Sequence, residues 1–199
     1  RVSNIIVMGM GEPLDNYEEL LRFIKLVSCE KGIGISQRNI TVSTCGLVDK
    51  IRMLADEKLQ ITLAISLHAP NDEIRRQTMP IANRYTIGEI IQACKYYFDK
   101  TGRRITFEYS MIRGVNDKEE HAKELAGRLS GLNCHINLIP LNEVKERNCY
   151  RSTKEDIEKF KTILEKYRKT VTIRREMGSD IDAACGQLRK KFLTKNGRN

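Results

Sequence analysis

Gln60-Ile61-Thr62-Leu63-Ala64-Ile65-Ser66-Leu67 runs straight into His68-Ala69-Pro70-Asn71-Asp72. The first eight residues are rich in apolar and β-branched side chains and too short for a core helix, so they read as a strand over 60–67. The polar group that follows, with Pro70 and then Asn71, ends the strand and opens a helix over 72–79. A strand this apolar, feeding a helix instead of a tight turn, belongs to a parallel sheet with helices packed on it.

The same alternation extends in both directions. Upstream, 5–8 and 39–43 read as strands, with helices over 17–27 and 47–54; Leu20, Leu21, Ile24 and Val27 mark the buried stripe of the first helix. Downstream come a helix over 87–98, strands over 105–111, 135–139 and 171–174, and helices over 118–129 and 154–167. Asn116 or Asp117 is the expected cap of the helix over 118–129, and Ser152 or Thr153 that of the last helix. The fold class is α/β, with chemistry expected at the carboxyl ends of the strands, whether the sheet stays open or curls toward a barrel.

The chain has 199 residues, 40% of them hydrophobic and 31% charged, which suits a single domain with one substantial core. It begins at Arg1 and enters an apolar run by Ile5, so residues 1–199 are expected to be a domain truncated at its N-terminus. No apolar stretch approaches the roughly 20 residues of a membrane span, and a soluble, cytoplasmic protein is expected. Cys29, Cys45, Cys94, Cys134, Cys149 and Cys185 show no C-x-x-C spacing, which argues against a zinc ribbon or a disulfide scaffold. A net charge of +9 suits a polyanionic partner, nucleic acid before membrane.

The strand ends are polar. Gly9-Met10-Gly11-Glu12-Pro13 lacks the further glycine or Gly-Lys-Ser/Thr of a phosphate loop, and the carboxylate of Glu12 would repel phosphate. It reads either as an opened backbone edge with Glu12 placed for a cation such as an amino group, or as a plain turn ended by Pro13. Ser43 and Thr44 put two hydroxyls on the rim; Ser66 and His68 share a side if the strand continues through them; Asn142 offers an amide. Together these groups suit a polar small molecule with a cationic part. Near the end, Cys185 stands between Ala183-Ala184 and Gly186, neighbours too small to shield its sulfur. It is either a working thiol open to a bulky partner or a small apolar filler on a short helix capped by Ser179 or Asp180.

Met8-Gly9-Met10-Gly11-Glu12-Pro13-Leu14, Ser43-Thr44, Ser66-Leu67-His68-Ala69-Pro70-Asn71-Asp72, Ile139-Pro140-Leu141-Asn142 and Asp180-Ile181-Asp182-Ala183-Ala184-Cys185-Gly186-Gln187-Leu188 closely resemble, in the same order, the RlmN family. These are radical S-adenosylmethionine methyltransferases acting on adenine in bacterial 23S rRNA and tRNA. The resemblance covers essentially the whole chain, and the cysteine motif is its most specific part. It implies a partial, open barrel of the TIM type, made of parallel strands with outer helices and lacking its N-terminal strand or strands. It further implies that Gly11 and Glu12 hold the amino group of S-adenosylmethionine, that Ser43, Ser66, Leu67, His68 and Asn142 contact the rest of it, and that Cys185 is the methyl carrier.

In the family, one cofactor molecule methylates that thiol. A second is cleaved reductively by a [4Fe-4S] cluster, supplied with electrons by a donor such as flavodoxin, and the carbon radical formed on the methylated thiol adds to C2 of adenine. The cluster motif C-x-x-x-C-x-x-C and the second, resolving cysteine are absent from these residues, so the chain alone is expected to be inactive. The nearby Cfr-type reading places the methyl group on C8. A noncatalytic RNA-binding module is the reading from another class, supported by the basic tail Arg189-Lys190-Lys191. An open sheet edge left by missing strands is expected to promote self-association.

Overall fold

The computed structural model describes residues 2–8, 11–141 and 150–175. Six parallel strands form one sheet in the order of the chain: β1 (Ile5–Val7), β2 (Ile40–Thr44), β3 (Thr62–Ser66), β4 (Ile105–Met111), β5 (Cys134–Pro140) and β6 (Thr170–Ile173). Helices fill the crossovers: α1 (Tyr17–Ser28), α2 (Val48–Asp56), α3 (Asp72–Thr78) and α4 (Ile87–Thr101) in the first half, α5 (Glu119–Arg128) and α6 (Lys154–Lys166) in the second. Strictly sequential order with every neighbour parallel is the arrangement of an open barrel wall.

The helices form because each carries an apolar stripe and a terminal device. In α1, Leu20, Leu21, Ile24 and Val27 are buried at helical spacing. α4 starts at Thr86, whose hydroxyl accepts from Glu89 N while Glu89 accepts from Thr86 N, and ends at Gly102, left-handed at φ 66. Their stripes cover one sheet face, on which Val42, Leu63, Ile65, Phe107, Ile136 and Leu138 are all fully buried. Each such side chain removed from water contributes about 1.5–3 kcal/mol.

The other face is different. Strand register aligns Ser66 with Glu108, Glu108 with Asn137 and Asn137 with Thr172, and aligned residues of a sheet point to the same side. The strands thus read as more uniformly apolar than they are: alternate positions put small and polar side chains on the face away from the helices. No helix among the described residues is long and apolar enough to cross a membrane.

Three expectations shift. β3 stops at Ser66 instead of continuing, because Leu67 N and His68 N both donate to Glu108 O (3.1 and 3.2 Å) and His68 turns left-handed at φ 57. The condition that would have placed Ser66 and His68 on one side of a strand is therefore not met. The cap of α5 is Lys118, not Asn116 or Asp117. Asp117 instead accepts from Gly114 N and Ser152 Oγ. Asn116 is fully buried among the strand-end loops, and Thr153 caps α6 as expected.

Candidate functional site

The carboxyl ends of β1 to β4 come together through a small set of side chains. Glu12 follows β1 in a loop entered through Gly11, whose φ of 116 suits glycine, and its carboxylate joins two loops. Oε1 accepts from Leu14 N at 3.0 Å, capping the 3-10 turn Pro13–Asn16, and Oε2 accepts from Cys45 N beyond β2 at 2.7 Å. A carboxylate oxygen can accept more than one hydrogen bond, so Glu12 is held in place and still able to accept hydrogen bonds from an ammonium group. Ser43 is half-buried on the polar face of β2. Thr44 turns the other way: it is buried and its Oγ1 accepts from Gly46 N at 3.1 Å, leaving one of the two expected rim hydroxyls on the polar face.

Beneath these loops lies Arg75, fully buried on α3. Its guanidinium donates from Nη2 to Cys45 O (2.7 Å) and Ser66 O (3.3 Å), from Nε to Leu67 O (3.2 Å) and from Nη1 to Tyr85 O (3.5 Å). One cation therefore clamps the ends of β2 and β3. It leaves no room to spare: a Cβ on Gly46 would stand 2.9 Å from Ile90 Cδ1 and 3.5 Å from Arg75 Nη2.

The Ser66-Leu67-His68 segment is fixed on every side. Leu67 is buried in the apolar core, so only its backbone faces the loops. Asn116 Nδ2 donates to His68 O and Ser110 O, both at 2.8 Å, while its Oδ1 accepts from Ile112 N at 2.8 Å. His68 Nδ1 accepts from Ser110 N at 3.0 Å, which leaves the ring proton on Nε2. Burial, with the charge of Arg75 second, pushes the imidazole down to about 4, so it is neutral at physiological pH. Cys45, the thiol beside Glu12, is pushed up to about 12 by burial and then by its hydrogen bond to Glu12, and stays protonated. It is no nucleophile.

Glu108 lies on the polar face, 5% exposed, with Oε2 accepting from Asn137 Nδ2 at 2.9 Å. Burial raises its pKa, against the opposing effects of Asn137 and the charge of Arg174. Glu108 and Arg75 were not singled out from the sequence, and Asn116 was singled out only as a helix cap. Each stands amid residues that explain it blandly: a charge in a strand, an arginine beside Arg76, an asparagine before a helix. The signal for Glu108 was there, since a carboxylate inside Ile105–Met111 must face something polar. Asn142 and Cys185 lie outside the described residues. So does the basic tail.

The arrangement brings together one fixed carboxylate, hydroxyls at Ser43 and Ser66, a neutral imidazole and a second, buried carboxylate, groups able to cradle a polar molecule with a cationic part. Among the described residues no three His, Cys, Asp or Glu side chains gather as a metal site.

The family model described as the Radical SAM superfamily matches residues 1–126. The chain is 62% identical over 193 residues to a probable dual-specificity RNA methyltransferase RlmN of Lachnospira eligens, covering 97% of this chain and 55% of that relative. It is 58% identical over 197 residues to the protein of the same name from Clostridium perfringens, covering 99% and 57%. The chain thus spans about half the length of the curated relatives it matches. A crystal structure of a radical SAM methyltransferase from Sphaerobacter thermophilus superposes with a TM-score of 0.89 at 49% identity, over 94% of this chain and 55% of that one. A domain of a pyruvate-formate lyase-activating enzyme from Bacteroides vulgatus superposes at a TM-score of 0.65 and 21% identity, over 87% of this chain and 100% of that domain, a likeness of fold alone.

Proposed function

The chain belongs to the radical SAM superfamily, and from that premise we propose that it is the cofactor-binding barrel of an RlmN-type enzyme that methylates C2 of adenine in 23S rRNA and tRNA. The observation that carries the proposal is the joining of the β1, β2 and β3 ends by Glu12 and Arg75, which brings Glu12, Ser43, Ser66 and His68 onto one rim. The names of the relatives at about 60% identity support the reaction.

S-adenosylmethionine fits the cradle on chemistry. Gly11 and Glu12 would hold its amino group, with Ser43, Ser66, the backbone of Leu67, His68 and Asn142 around the remainder. When bound it supplies a sulfonium whose methyl group is open to displacement and whose carbon–sulfur bond a single electron can break. The chain's own part follows from its electrostatics. Glu12 would accept hydrogen bonds from the ammonium group, and a neutral His68 beside the rim adds no charge to repel a sulfonium. Cys45, held protonated, does not compete for the methyl group. Cys185 is the proposed acceptor: as a thiolate, its proton released to solvent, it would take up the methyl group that the bound sulfonium would supply and would carry it to the adenine.

The [4Fe-4S] cluster does not fit these residues, since the C-x-x-x-C-x-x-C spacing does not occur in the 199 residues. By themselves they are proposed to be inactive. The proposal also includes a single domain over 1–199, a flavodoxin-type electron donor, a cytoplasmic location and self-association of the isolated chain through the sheet edge.

Nucleoside analysis of 23S rRNA and tRNA from cells carrying or lacking the natural gene tests the reaction. Loss of 2-methyladenosine with the gene supports it. Loss of 8-methyladenosine would instead indicate the Cfr-type reaction, and unchanged methylation would leave an RNA-binding module.

A further inference from the structure

Glu108 is a buried carboxylate that the binding scheme above does not use. Register places it in a transverse row on the polar face of the sheet. Thr44 pairs with Ile65, so Cys45 comes level with Ser66; Ser66 pairs with Glu108, Glu108 with Asn137, and Asn137 with Thr172. Alternation puts these side chains on the face away from the helices, opposite Phe107 and Tyr109, which are fully buried in the core. The hydrogen bonds run along the row: Asn137 Nδ2 donates to Glu108 Oε2 at 2.9 Å, and Thr172 Oγ1 donates to Asn137 Oδ1 at 3.1 Å. The carboxylate is thereby oriented by its neighbour instead of being neutralised by it.

The row starts at the backbone that holds Glu12, because Glu12 Oε2 accepts from Cys45 N. From β2 to β4 is two strand spacings, roughly 10 Å. In S-adenosylmethionine, the amino nitrogen and the ribose hydroxyl oxygens are joined by about eight single bonds of roughly 1.5 Å each, a comparable reach when extended. A ligand with its ammonium group at Glu12 and lying along the row therefore brings its sugar to Ser66 and Glu108.

We propose that Glu108 reads the ribose of the bound nucleoside, its carboxylate accepting hydrogen bonds from the sugar hydroxyls while Asn137 holds it in position and Ser66 flanks it. This rests on the reading that the cradle holds S-adenosylmethionine. A carboxylate accepts from hydroxyls and has nothing to offer a sugar without them, so the row favours ribonucleosides over deoxynucleosides.

The test uses the full natural protein with its cluster, and S-adenosylhomocysteine and its 2′-deoxy and 3′-deoxy analogues as probes, with affinities from calorimetry. The wild type is expected to prefer the ribo form over at least one deoxy analogue by about tenfold, the usual worth of a hydrogen bond to a charged group. Glu108→Ala is expected to lose about tenfold for the ribo form and nothing for that analogue. Glu108→Gln keeps the volume and decides the matter if the alanine variant fails to fold. Equal preference in wild type and variants, or no preference in the wild type, overturns the proposal. Failure of the wild type to bind S-adenosylhomocysteine at all overturns the cradle reading on which it stands.

Discussion

Replacing Arg75 by Met keeps an unbranched stem out to the position of Nε and removes every donor from the clamp beneath the rim. The guanidinium serves Cys45 O, Ser66 O and Leu67 O at 2.7, 3.3 and 3.2 Å, with Tyr85 O at the limit of contact, 3.5 Å. Each carbonyl left without a donor in a fully buried place costs about 1–3 kcal/mol. Relief from burying a charge without a carboxylate partner offsets part of that sum. A net loss of about 3 kcal/mol follows, a large share of the 5–15 kcal/mol of a typical domain. In a chain of this size it lowers Tm by about 6–12 °C.

Urea unfolding followed by circular dichroism measures the loss directly. Arg75→Lys separates charge from geometry, since an ammonium keeps the charge but cannot span the same fork of acceptors; it should fall between wild type and Arg75→Met. If Arg75→Met loses less than about 1 kcal/mol, the carbonyls find other donors and the clamp is not what holds the rim. Wild-type stability in Arg75→Lys would refute the geometric part of the reasoning.

Two further outcomes follow from the electrostatics. His68 has its pKa lowered to about 4 in the folded chain, against about 6.5 when unfolded, so between those values only the unfolded chain takes up the proton. Stability should therefore fall as pH drops from about 6.5 toward 4, by up to about 3 kcal/mol, and His68→Gln should flatten that part of the profile; an unchanged profile would show that His68 is not the group responsible. Cys45, pushed up to about 12, should be some thousandfold or more slower toward iodoacetamide at pH 8 than an ordinary exposed thiol, while the exposed Cys29 is modified readily; peptide mapping after a short pulse checks this, and equal labelling would refute it.

The elements were legible because apolar runs and helical stripes are local: the strand over 105–111 coincides with β4, and the others differ at their ends by one to three residues. β3 is shorter than its apolar run because its end is set by Glu108 O, a partner distant in sequence. The rim was partly legible. Glu12, Ser43, Ser66 and His68 do gather at the strand ends, but the work of Glu12 on Cys45 N and the loss of Thr44 to the buried side depend on how β1 and β2 face each other. Arg75 was illegible because nothing local distinguishes it from Arg76, and burial is decided by the loops that close over α3. Asn116 looked like a cap because asparagine before a helix usually is one; here three strand-end groups compete for its amide more strongly.

The central claim is that Cys185 carries the methyl group, and the mass of its peptide tests it most directly. The natural gene is expressed with iron–sulfur assembly, and the purified protein is digested and compared with the same protein prepared cluster-free by expression without that assembly. A Cys185 peptide heavier by one methyl or methylene group, with the increment lost in the cluster-free preparation, is the predicted result. An unmodified Cys185 in a protein that still methylates adenine would contradict the account and return this thiol to the role of a packed apolar residue.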